Sequence, residues 1–171
     1  EGAGVKEVLR LTELAVRSMD GSSGMAWEID KAGFKKFAYH DSCIYGRGMG
    51  IYDEPREVLK RICGDEGLVE MRDTRKRARC CGFSLSVSEP HVAATIARKV
   101  ADEAAGAGAE VLVTSGCPGC YYSLKKTRAI KVMDISSLIR RALGGHLKSH
   151  FKGENSGKFW QSSGRAAEGG L

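Results

Sequence analysis

The sequence predicts an α/β fold: an open, mainly parallel four-stranded sheet flanked by helices, forming a single cysteine-rich domain with a flexible C-terminal tail. Two observations carry that expectation. Four short apolar runs, Phe37-Ala38-Tyr39, Leu68-Val69-Glu70-Met71, Val111-Leu112-Val113 and Ile130 to Met133, alternate with helix-periodic segments, and strands that alternate with helices pair in parallel through right-handed crossovers. The length, 171 residues, suits one ordinary domain of about 100–200 residues and leaves little room for a second.

The elements follow in order. Val5, Val8, Leu9, Ala15, Val16 and Met19 recur at helical spacing, so a helix is expected over about residues 4–18, ending before Gly21-Ser22-Ser23-Gly24. Residues 1–24 are thus an N-terminal helix and linker, 25–145 the cysteine-rich domain, and 146–171 a tail. The first strand ends at His40-Asp41-Ser42-Cys43, and a glycine-rich loop from Gly46 to Gly50 leads to Asp53-Glu54-Pro55, a helix start with proline in its first turn. Val58, Leu59 and Ile62 share one face of that helix, which stops at Gly64. The second strand, Leu68 to Met71, runs into a basic loop that ends at Cys80-Cys81-Gly82. Ser88-Glu89-Pro90 offers a cap and an early proline to an alanine-rich helix that Gly106 and Gly108 break. After the third strand comes Cys117-Pro118-Gly119-Cys120, with helix from Tyr121 to Lys126. After the fourth, Ser136-Ser137 is expected to cap a last helix ending near Gly144. Beyond Gly145 the chain is rich in Gly, Ser and Lys, the composition of a disordered tail.

Composition narrows the setting. No run approaches the roughly 18 apolar residues needed to cross a bilayer, and no secretory signal pattern opens the chain. A cytoplasmic protein with reduced thiols is expected, since six cysteines bunched as CC and CxxC fit metal binding better than a disulfide framework. Much of the net charge of +6 lies in Arg72 to Arg79. That run is either a solvated loop or a cationic tuner of the thiols it precedes. No nucleic-acid partner is expected, because aromatic residues do not interleave with the basic ones.

Five of the six cysteines form three groups: Cys43, the pair Cys80-Cys81, and Cys117 with Cys120. Each lies after an expected strand, and in an open parallel sheet those loops share the carboxyl edge, where ligands bind. Distant thiols then meet at one site. Five sulfur donors exceed the four of a tetrahedral zinc site and point to an iron-sulfur centre, with zinc as the alternative metal. A zinc-stabilised structural or partner-binding module remains open on these residues. So does a thiol-disulfide oxidoreductase acting through Cys117.

The arrangement of Cys43, Cys80-Cys81-Gly82 and Cys117-Pro118-Gly119-Cys120 resembles the cysteine-rich CCG domain found in the B-type subunit of heterodisulfide reductase and in the glycolate oxidase iron-sulfur subunit. Tyr39-His40-Asp41-Ser42-Cys43 and Gly50-Ile51-Tyr52-Asp53-Glu54-Pro55-Arg56 add to the likeness, which runs from Lys36 to Leu143. The resemblance implies a 4Fe-4S cluster, non-cubane in the heterodisulfide reductases, held by Cys43, Cys80, Cys81, Cys117 and Cys120. It implies an electron-transfer module, a subunit or domain of an oxidoreductase, working with flavin or iron-sulfur subunits, in some cases in a membrane-bound complex. Three departures stand out: Ser42 where the family has Pro, Phe83-Ser84-Leu85 in place of a glycine-rich stretch, and one five-cysteine set where many relatives carry two. With no initiator Met before Glu1, the single set is expected to be the C-terminal half of a longer protein or a one-domain subunit.

Other candidates have plainer readings. Gly46-Arg47-Gly48-Met49-Gly50 fails the dinucleotide GxGxxG pattern, whose third glycine would fall on Ile51. Cys63, at the end of an amphipathic helix, is expected in the core. His40 and Asp41 are either donors beside the cluster or ordinary loop residues. His91 is expected at the surface, and His146, His150, Phe151, Phe159 and Trp160 stand apart in the tail.

Overall fold

The computed structural model describes residues 15–16 and 34–142. Apart from Ala15 and Val16, which are helical, the expected N-terminal helix lies outside the described residues, as does the tail.

Four strands form one all-parallel sheet in the order β2-β1-β3-β4: β1 (Phe37–His40), β2 (Leu68–Val69), β3 (Val111–Thr114) and β4 (Lys131–Asp134). Ala38 sits opposite both Val69 and Leu112, and Leu112 opposite Val132, so the apolar runs align across the sheet. Helix α1 (Asp53–Cys63) follows β1, α2 (Pro90–Gly106) precedes β3, α3 (Pro118–Lys126) links β3 to β4, and α4 (Ile135–Ala142) follows β4. Strand alternation sends Phe37, Tyr39, Val111, Val113 and Met133 to one face, against Val58, Leu59 and Ile62 of α1 and Leu138 and Ile139 of α4. Ala38, Leu112 and Val132 face the other way, against Ala97, Val100 and Ala104 of α2 and Leu124 of α3. Each wholly buried leucine or valine contributes about 1.5–3 kcal/mol of transfer free energy, and the two layers close the sheet on both faces.

The sheet and its parallel pairing are as the sequence predicts; four local expectations are corrected. Strand β2 stops at Val69, and the Glu70 carboxylate that follows it bonds a buried arginine described below. The glycine-rich segment after Cys43 is not an open loop but a π-helical turn, Cys43–Gly48, opened by Ser42, whose Oγ accepts a 3.2 Å bond from the Tyr45 N–H. Glu89, not Ser88, stands at the N-cap of α2, and it makes no side-chain cap bond. Asp134, not a serine, caps α4: its Oδ1 accepts from the Ser136 N–H at 3.0 Å and from the Ser136 hydroxyl at 2.6 Å. A carboxylate at the end of β4 reaches those orphan donors directly.

Arg56 ties the carboxyl edge together. Its Nη1 and Nη2 donate to Asp41 Oδ1 and Oδ2 at 2.8 Å each, its Nε to Glu70 Oε1 at 2.6 Å, and Nη1 also to the Tyr52 carbonyl at 2.7 Å. The guanidinium lies 5.3 Å from the Tyr39 ring centroid, and the residue is only 4% exposed. Asp41 Oδ2 additionally accepts 2.7 Å from the Arg75 N–H, with Arg75 held at φ 56. One side chain thus joins the ends of β1 and β2, the first turn of α1 and the basic segment.

Several arginines in and near the basic run are paired. Arg75 bonds Asp53 at 2.6 Å, Arg79 bonds Asp73 at 2.7 Å and approaches Glu103, and Arg47 donates to the Ala78 carbonyl at 2.6 Å. The Arg75 hydrogen bond pulls the Asp53 carboxyl below its usual range, and Arg79 does the same for Asp73. Cys63 packs against the α1 side of the core with its Sγ 3.0 Å from the Leu59 carbonyl, as expected of a core thiol, and burial pushes its pKa up to about 11.

Removing Asp41 leaves Arg56 buried with less compensation, so Asp41→Ala costs about 3–5 kcal/mol in urea unfolding. Arg98→Ala, which breaks an exposed pair with Asp102, costs under about 0.5 kcal/mol. For Cys63, the raised pKa lowers the thiolate fraction at pH 8. Iodoacetamide labelling of the metal-free chain, read by mass spectrometry, should modify it roughly a hundredfold more slowly than a free thiol, with the rate climbing as pH rises.

Candidate metal centre

The chain runs from β1 to β2 on one side and then crosses to β3 and β4 on the other. The direction reverses between β1 and β3, and the crevice outside the carboxyl ends of two such strands is where open α/β sheets bind ligands. Cys43 stands three residues after β1 and Cys117 three after β3. Helix α3 begins at Pro118, earlier than the sequence suggests, so Cys117 is its N-cap residue and Cys120 lies in its first turn. Cys80 and Cys81 reach the crevice from the segment before α2, on the α2–α3 side of the sheet; Cys63 packs on the opposite side.

Cys80 lies in the field of Cys81 and Cys43, and Cys120 in that of Cys81 and Cys117, so each of the five thiols has at least one other near it. Burial raises the pKa of Cys80 first; the Gly82 N–H, 3.4 Å from its Sγ, opposes this, and Cys81 and Cys43 raise it further. Cys81 and Cys120 are buried and share a hydrogen bond. That bond pulls Cys81 down to about 4, helped by His40 and the Phe83 N–H, while Cys120 is driven upward by Cys81, then by burial and Cys117. Two thiols in contact release one proton readily and hold the second. The influences on Cys80, Cys81 and Cys120 come from burial, backbone N–H groups, His40 and the other thiols. Of the basic run, Arg75 pairs with Asp53 and Arg79 with Asp73 and Glu103, as in the solvated-loop reading.

His40 is the residue the sequence leaves undecided. It ends β1, is 1% exposed, and brings a ring nitrogen within 4.8 Å of the Cys81 and Cys120 sulfurs; its Nε2 is buried without a hydrogen-bond partner. Asp41, its neighbour, is given over to Arg56 and the Arg75 N–H instead. His91 is exposed, as expected, and His146 and His150 lie outside the described residues.

Two glycines allow the thiol segments to approach. Gly82 has φ 79, and a Cβ there would lie 2.7 Å from the Ala93 carbonyl oxygen, so the turn after Cys81 seats directly on α2. A Cβ on Gly119 would lie 2.5 Å from the Phe83 ring. Phe83, one of the bulky residues in place of a glycine-rich stretch, thus covers the first turn of α3 and packs edge-on to Tyr122 at 6.2 Å. Ser42 contributes a cap hydroxyl that a proline could not.

Asp134 is a positioning residue that sequence reasoning missed. Its Oδ2 accepts from the Gly116 N–H at 2.8 Å and the Thr114 hydroxyl at 3.1 Å, which fixes the approach to Cys117 from the end of β4. Its signal was a carboxylate closing an apolar run. Arg56 was visible within the motif Gly50 to Arg56 but without a role.

The residues fit a metal centre. Cys81, Cys120 and a ring nitrogen of buried His40 lie within 4.8 Å of one another, Cys80 and Cys43 interact with this group's edge as does Cys117, and His40 Nε2 has no hydrogen-bond partner among the described residues. Among the described residues no helix is long and apolar enough to cross a membrane.

Comparison with known proteins agrees with this chemistry. The chain is 34% identical over 145 residues to the D-type subunit of the dihydromethanophenazine:CoB--CoM heterodisulfide reductase of Methanosarcina acetivorans, covering 81% of this chain and 34% of that one. It is 36% identical over 120 residues to a Bacillus subtilis protein named "Probable iron-sulfur-binding oxidoreductase FadF", covering 64% of this chain and 17% of that one. It is 30% identical over 153 residues to the B-type subunit of the fumarate reductase (CoM/CoB) of Methanothermobacter marburgensis, covering 82% of this chain and 30% of the relative. The chain spans about a third of the length of the heterodisulfide reductase subunits it matches. These relatives are redox subunits and iron-sulfur oxidoreductases, in line with the resemblance read from Cys43 to Cys120. The model of the CCG cysteine-rich domain matches residues 37–125, over half of the sequence, and the chain belongs to that family.

Proposed function

We propose that this chain is the cluster-bearing electron-transfer module of a heterodisulfide-reductase-like redox complex, holding a 4Fe-4S cluster through Cys43, Cys80, Cys81, Cys117 and Cys120. The observation that supports the reading is the chain of interactions from Cys43 to Cys80, and from Cys81 to Cys120 and Cys117, which links the three cysteine segments in a sheet that reverses direction between β1 and β3. Once bound, such a cluster supplies reversible electron uptake. The protein's part is to hold five thiolates in register: Arg56 and Asp41 fix the segment before Cys43, Gly82 seats the Cys80-Cys81 turn on α2, and Asp134 fixes the loop before Cys117. Burial of Cys81 and Cys120 keeps water from one side of the site, while Cys43, Cys80 and Cys117 are partly exposed. Electron exchange with a flavin or iron-sulfur subunit would take place across that open side.

A zinc site has one observation in its favour: His40, Cys81 and Cys120 lie close enough to share a single ion. Metal content separates the two readings. After anaerobic reconstitution the protein should bind iron and sulfide in stoichiometric amounts and give an electron paramagnetic resonance signal in one oxidation state. Cys81→Ser and Cys120→Ser should lose most of that iron, whereas Cys63→Ser retains it. Stoichiometric zinc with no iron would sink the cluster reading.

A further inference from the structure

We propose that His40 donates a hydrogen bond to a sulfur of the cluster beside Cys81 and Cys120 and thereby sets its reduction potential. The inference rests on the iron-sulfur reading above. A buried imidazole needs a partner for each ring nitrogen, and Nε2 of His40 has none among the described residues. The polar groups near it are already engaged. Asp41 takes Arg56 and the Arg75 N–H, and Thr114, paired with His40 across the sheet, donates to Asp134. What remains beside the ring is sulfur, with Cys81 and Cys120 Sγ within 4.8 Å.

Ligation of iron by the imidazole is the poorer use of this geometry. Five thiolates already exceed one terminal ligand for each iron of a four-iron cluster. An N–H directed at a thiolate or sulfide instead strengthens as the cluster gains an electron and its sulfurs become more negative, which favours the reduced form and raises the potential. Position helps as well. His40 ends a central strand, so the ring is held by the sheet itself and does not depend on a loop.

The test uses the reconstituted chain and two variants. His40→Leu removes the donor and should lower the potential, in a titration followed by electron paramagnetic resonance, by a tenfold or greater change in the reduction equilibrium, about 59 mV for a one-electron couple. His40→Gln keeps an N–H and should recover most of that shift. Independently of both, histidine labelled with 15N should give the wild-type cluster a weak nitrogen coupling in pulsed resonance spectra, and His40→Gln should abolish it. That reading stands even if His40→Leu fails to fold. A fully loaded His40→Leu cluster with unchanged potential, or a wild-type cluster with no histidine coupling, would overturn the hydrogen bond. So would the strong coupling of a directly ligated nitrogen. A wild-type chain that takes up no iron and sulfide would instead overturn the cluster assignment itself.

Discussion

The structure depends on one buried cation. Arg56 is enclosed by the carboxylates of Asp41 and Glu70, the Tyr52 carbonyl and the Tyr39 ring. A guanidinium removed from water is costly unless each of its donors finds an acceptor, so the group enforces its own surroundings. Those surroundings are the ends of β1 and β2 and the start of α1. Their arrangement decides where the segment carrying Cys43 leaves the sheet. The same network draws in the Arg75 N–H at a left-handed residue, so the basic segment that leads to Cys80 is fixed from the same point.

Asp134 performs the corresponding task at the other side of the crevice, with one oxygen on the Gly116 N–H and the other on α4. The thiols therefore sit between two braced carboxylates that do not themselves touch sulfur. This division matters for a redox site. Carboxylates within a cluster of thiols would add negative charge there, whereas carboxylates bound to Arg56 and to backbone N–H groups stiffen the frame around it. His40 is the exception among the polar residues of β1, a buried imidazole reserved for the sulfur side.

Much of this is legible from residue patterns, and the failures have physical causes. The apolar runs, the proline-led helices and the Gly64 and Gly106 stops report local preferences, and they predict the parallel sheet and the boundaries of α1 and α2. The second strand reads two residues too long because Leu68 to Met71 has strand composition, while only Leu68 and Val69 find partners on β1. Serine caps at Ser88 and Ser136 mislead for a related reason: capping depends on which oxygen reaches the free N–H groups, and a carboxylate at a strand end can reach further than the nearest serine. The segment after Cys43 carries three glycines and reads as loop, but Ser42 and backbone bonds from Gly46 and Gly50 wind it into a helical turn.

The sequence by itself determined the donors and their grouping: five thiols in three clusters, each following a strand, in a chain whose strand-helix alternation forces a parallel sheet. Thiol grouping and connectivity are local properties of the chain, so the expectation of a metal centre could be drawn before the folded arrangement was known. Only the tertiary structure decided what surrounds those thiols. It paired Arg75 with Asp53 and Arg79 with Asp73 and Glu103, laid Phe83 across Gly119, separated Cys63 onto the opposite face, and brought His40 within 4.8 Å of Cys81 and Cys120. Each of those outcomes depends on which groups come into contact after folding, which side-chain identity and spacing along the chain do not encode.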